Sequence, residues 1–132
     1  MTMLRLANRL ANSVWLRGLT LAAVIGLAFV SLVPAAHSPP RTALPGAVEH
    51  FLAYFAVSGM AVFVFRRNLP VPILVTAMIA YAAILETAQR WAPGRSPALL
   101  DFVASAAGAL IGALLCLVVL TLLARLDRAM HR

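Results

Sequence analysis

The sequence predicts an all-α membrane protein, a four-helix transmembrane bundle with short loops and both termini cytoplasmic. Three observations predict it. Of 132 residues, 63% are hydrophobic and only 11% charged, where soluble domains carry roughly a quarter. The apolar residues gather into four long runs, each near the ~20 residues a helix needs to cross ~30 Å of hydrocarbon. The arginines collect at the ends of those runs and divide unequally between the two sides. No alternating polar period of the kind a transmembrane barrel carries is present. One domain, 1–132, accommodates all four helices.

Residues 1–17 carry Arg5, Arg9 and Arg17, with Leu6, Leu10 and Val14 at helical spacing and Trp15 beside them. The segment reads either as an interfacial amphipathic helix, its arginines on anionic headgroups, or as a basic flank without fixed structure. The first span is expected at 18–36, followed by a break over His37–Pro40. Val33-Pro34-Ala35 resembles a signal-peptidase site, yet the apolar stretch outlasts the usual h-region of roughly 7–15 residues, so a retained helix is expected. The second span, 47–65, holds Glu49 and His50 in its first turn and stops at Arg66-Arg67-Asn68. The third is expected over 69–88, with Glu86 closing its apolar part. The fourth, 99–124, is interrupted only by Asp101.

The net charge is +7, and no lysine occurs. With the N-terminus inside, Arg5, Arg9, Arg17, Arg66, Arg67, Arg125, Arg128 and Arg132 lie on the cytoplasmic side and Arg41, Arg90 and Arg95 outside. Such an excess sets the orientation for short loops and places the chain in the inner (cytoplasmic) membrane as a multi-pass protein. Because the arginines flank apolar segments instead of lining a face between aromatics, nucleic acid is excluded as a partner. The lone Cys116 excludes an intrachain disulfide and a multi-cysteine metal site.

Three of the four acids fall at one boundary. Counted from Arg66, Arg67 and Arg125, helix rise puts Glu49, Glu86 and Asp101 about 26, 28 and 36 Å away, near the outer surface. Acids at a bilayer boundary are costly unless paired or wetted, so the cluster is a candidate site. His50, Tyr54 and Ser58 share a face of the second span, and Glu86, Gln89 and Arg90 fall at i, i+3, i+4 on the third. Asp101, Ser105, Gly108 and Gly112 form one stripe on the fourth, where Gly108-x-x-x-Gly112 lets a neighbouring backbone approach. Between the last two spans, Pro93-Gly94 marks a turn, Trp91 suits the headgroup belt, and Arg95 offers a planar grip for phosphate or carboxylate.

Glu49-His50-Phe51-Leu52-Ala53-Tyr54, then Glu86-Thr-Ala-Gln89, Pro93-Gly94-Arg95, and Asp101 ahead of Gly108 and Gly112 together resemble the VanZ-like family, over roughly residues 46–115. Two positions depart from its pattern: Ser105 stands where the family has asparagine, and Gly46-Ala47 replaces an acid–lysine pair. The resemblance implies an integral membrane protein of the cell envelope, linked in the family's namesake to low-level teicoplanin resistance, an antibiotic-resistance trait. It supplies no established reaction.

The residues leave three readings of the cluster. The acids pair with Arg90, Arg95 or His50 and fix helix register. Alternatively, Glu49, His50, Tyr54, Glu86, Gln89, Arg95 and Asp101 form a polar site for a lipid headgroup, a lipid-linked cell-wall precursor or an amphiphilic drug. In the third, a small membrane enzyme acts on a lipid-linked phosphate or sugar, with His50 as base, Glu86 or Asp101 orienting it and Arg95 holding the anion. One histidine with carboxylates at this spacing falls short of a zinc site, and neither a metal nor a cofactor is expected. A proton-coupled exporter would want an acid near the bilayer midplane, where none lies. His37 and His131 are expected in solvent. The sequence leaves oligomeric state open.

Overall fold

Prolines punctuate the chain. The computed structural model describes residues 3–37 and 44–130, as five α-helices: α1 (Met3–Ala11), α2 (Val14–Leu32), α3 (Gly46–Phe65), α4 (Val71–Ala88) and α5 (Leu99–Met130). Val33 is extended at φ −59° and ψ 133° and ends α2 ahead of Pro34, because the residue before a proline is pushed out of the helical region. Pro45 and Pro70, both with polyproline-like backbone, precede the first residues of α3 and α4. Short 3-10 turns follow α2 at Ala35–His37 and α4 at Gln89–Trp91.

Four helices are long and apolar enough to cross a membrane: Val14–Leu32, Gly46–Phe65, α4 with its 3-10 extension (Val71–Trp91), and Leu99–Met130. Among the described residues there is no strand. By length and composition this is a multi-pass membrane protein.

Three spans differ from the sequence reading by more than one residue. The first span, expected at 18–36, lies at Val14–Leu32, because Arg17 ends an apolar run without ending a helix and Pro34 does end it. The third starts at Val71, not 69, behind Pro70. The fourth continues past 124 to Met130, giving 32 residues, or about 48 Å, with Arg128 Nε donating to the Ala124 carbonyl at 3.1 Å. The N-terminal segment, left open between helix and plain flank, is helical from Met3 to Ala11.

Successive spans run in opposite directions. The start of α3, the start of α5 and the last residues of α2 and α4 share one end, hereafter the site end. The opposite end holds α1, the α3–α4 turn and the end of α5, and with them most arginines. There Arg17 Nη2 donates to Asn68 Oδ1 at 3.2 Å and Arg66 Nη2 to Asn8 Oδ1 at 3.0 Å. Asp127, 7% exposed, accepts from the backbone amides of Met3 and Leu4 at 3.2 and 2.8 Å. An acid at a helix N-terminus satisfies orphan amides and complements the dipole, so Asp127 ties α1 to α5.

The α3–α5 pair is the core of the bundle. A Cβ on Gly108 would collide with the carbonyl oxygen of Phe51, and one on Gly112 with that of Phe55. Only hydrogen at those positions lets the two backbones lie so close, which is what the small-xxx-small spacing implied. Ser58 Oγ then donates to the Ala109 carbonyl at 2.8 Å. On the other flank Tyr81 donates its hydroxyl to Val24 O at 2.7 Å, joining α4 to α2. Lipid tails are as apolar as leucine, so close packing and such bonds hold these helices together.

Candidate functional site

The close α3–α5 approach decides what meets at the site end. His50 stands one residue before Phe51, and Asp101 and Ser105 lie two turns and one turn before Gly108. The imidazole therefore falls between Asp101 and Ser105: Nε2 is 4.0 Å from Asp101 Oδ2, and Nδ1 is 3.2 Å from Ser105 Oγ. Ser105, 1% exposed, donates its own hydroxyl to the Asp101 backbone carbonyl at 2.8 Å. The His50 and Asp101 side chains stay 22% and 26% exposed, so the pair opens to the outside of the bundle while Ser105 is closed off.

Asp101 also faces the beginning of α3. A Cβ on Gly46 would lie 3.9 Å from both of its carboxylate oxygens. The carboxylate thus sits by the first turn of α3 as well as in the first turn of its own helix, and both dipoles favour its charge.

Glu86 does something else. It is 8% exposed, and its Oε1 accepts from the Ala98 amide. Ala98 is the residue before α5, and its carbonyl accepts from the amides of Asp101 and Phe102. Glu86 therefore caps α5 from the end of α4, and it reaches Asp101 only through that first turn. Buried Tyr54 lies within electrostatic range of Glu86 and Tyr81. Gln89 is buried as well, whereas Arg90, expected on the same face, is exposed. Glu49 is half-buried, one residue before His50.

Arg95 bonds to the end of α2. Its Nη2 donates to Val30 O at 2.8 Å and its Nε to Val33 O at 3.2 Å. These are carbonyls of the last turn of α2 and of the residue that follows it, groups with no partner along the helix. The Ala35 amide donates to Pro93 O at 3.1 Å in the same region. Gly94 carries φ 75°, and a Cβ there would press on that of Ala35 at 2.9 Å. The Pro93-Gly94-Arg95 turn is thus strapped over the end of α2. Two of the guanidinium nitrogens of Arg95, the residue expected to grip an anion, hold backbone carbonyls.

The structure brings His50, Asp101 and Ser105 into direct contact. Tyr54 lies one turn beyond His50 on α3, Glu86 holds the residue before α5, and Gly108 and Gly112 form the packing face. Among the described residues no group of three His, Cys, Asp or Glu side chains is arranged to hold a metal ion. Sequence reasoning missed the Asp127 cap and the Gly46–Asp101 contact. A lone acid among arginines, seven residues beyond the buried Leu120 on the same helical face, was the available signal for the first. His37 is exposed, as expected; His131, Arg41 and Arg132 lie outside the described residues.

The chain matches no protein-family model, no curated protein and no solved structure.

Proposed function

We propose that the chain is an inner-membrane protein of VanZ-like type whose site end faces out of the cytoplasm and binds the polar head of a membrane amphiphile. That amphiphile is a lipid, a lipid-linked cell-wall precursor or an amphiphilic drug. The orientation rests on the arginine excess at the opposite end. The binding role rests on one observation: His50 and Asp101 remain partly open at 4.0 Å, while Glu86, Arg95, Ser58 and Ser105 are committed to backbone groups. A polar pair left open at this level of a bundle, with exposed Val48, Leu52, Leu99, Leu100 and Val103 on the first turns of the same two helices, suits a head with a tail. The enzyme reading has less support. Arg95, which it assigns to the anion, and Glu86, one of its two candidates for orienting His50, hold helix ends.

A ligand that binds only the folded state raises its stability. Amphiphiles differing in head alone, added to protein in detergent, should shift the melting temperature in a head-dependent way. The shift should vanish in His50→Ala and in Asp101→Asn. Equal shifts for every head, or shifts unchanged in both variants, would overturn the proposal.

A further inference from the structure

Resting on that reading of the site, we infer that the group held between His50 and Asp101 is a primary ammonium. The argument is one of proton counting. Ser105 has one hydroxyl proton, and the Asp101 carbonyl 2.8 Å away can only accept it. The contact of 3.2 Å between His50 Nδ1 and Ser105 Oγ is therefore made by the Nδ1 proton. A neutral ring then carries no proton on Nε2, whose lone pair faces the Asp101 carboxylate at 4.0 Å. In that tautomer two acceptors face one another, and a partner that serves both brings donors to each.

A hydroxyl brings one proton and serves one of them. A primary ammonium brings three along with a positive charge. A nitrogen about 2.9 Å from both acceptors would see them about 90° apart, near the tetrahedral angle of its N–H bonds. A quaternary ammonium has the charge without a donor, and an anion would meet two acceptors. The exposed leucines and valines on the first turns of α3 and α5 give an amphiphile carrying that ammonium a place for its chain. A zwitterionic phospholipid ending in a primary amine has the required chemistry, and so does a small soluble amine.

The test uses full-length protein in micelles, labelled with 15N-histidine, in a His37→Gln/His131→Gln background so that His50 alone reports. Short-chain phosphatidylethanolamine, phosphatidylcholine and phosphatidylglycerol, and free ethanolamine, are titrated while the His50 Nε2 resonance is followed. We expect an unprotonated Nε2 before addition and a saturable shift with phosphatidylethanolamine at concentrations at least tenfold below those for phosphatidylcholine. Asp101→Asn should weaken that binding by tenfold or more. His50→Gln, followed through the melting temperature, should do the same. Saturation by the lipid well below free ethanolamine identifies a lipid head, and equal potency identifies a soluble amine; both support the ammonium. Binding that is equal for phosphatidylcholine, or stronger for phosphatidylglycerol, overturns the ammonium and leaves the headgroup site standing. A ring already protonated on both nitrogens also overturns it. No response to any lipid, in protein with an unaltered melting temperature, overturns the headgroup site as well.

Discussion

The carbonyl oxygen of Phe51 occupies the place where a side chain on Gly108 would begin. That relationship positions the site, since His50 precedes Phe51 and reaches Asp101 and Ser105 only because α3 lies directly on α5. Gly108→Ala and Gly112→Ala should each lower stability by about 1–3 kcal/mol, the usual cost of overpacking. Gly26→Ala, where nothing lies within 4 Å, should be neutral or slightly stabilising. Melting curves in detergent check all three. Equal effects at positions 26 and 108 would count against the close approach.

Arg95 supplies the second test. Because its guanidinium donates to Val30 O and Val33 O, Arg95→Ala should cost about 1–2 kcal/mol of stability by leaving helix-end carbonyls unserved. Arg95→Lys should recover only part of this, lacking the fork. Glu86 caps Ala98 and is not seen to pair with Arg95, so the Arg95→Glu/Glu86→Arg exchange should be worse than either single change. Rescue by the exchange would show an ion pair between them instead.

These side chains mark where the sequence stopped being legible. Four spans follow from hydropathy, and the His50–Asp101 meeting follows from a shared face beside Gly108 and Gly112, because periodicity along a helix is local information. The partners of Arg95 and Glu86 do not follow. Each bonds to backbone of a different element, Val30 and Val33 in one case and Ala98 in the other, and charge alone suggests they pair with each other. Hydropathy likewise halts α5 at Arg125, whereas the backbone ladder runs on to Met130 and delivers Asp127 to α1.

Asp127 gives the third test. Asp127→Ala removes the acceptor of the Met3 and Leu4 amides. The loss of a cap of this kind costs about 1 kcal/mol. We expect faster hydrogen exchange across α1 with little change in α3. Unchanged exchange in α1 would mean that the membrane surface, and not Asp127, holds it.

Orientation is checked by labelling single cysteines in a Cys116→Ser background. Ser96 and Arg67 are both exposed, at opposite ends of the bundle. In intact cells an impermeant maleimide should label Ser96→Cys, and Arg67→Cys only after permeabilisation. The reverse pattern would turn the site toward the cytoplasm.

The most direct test of an amphiphile held by His50 and Asp101 is native mass spectrometry of gently extracted protein. The wild type should keep one lipid bound as collisional activation strips the detergent and loosely held lipids. His50→Ala and Asp101→Asn, equally folded by melting temperature, should lose that lipid at far lower energy. A wild type that retains no lipid, or variants that retain it as firmly, would contradict a binding role for the pair and leave it a device for fixing α3 against α5.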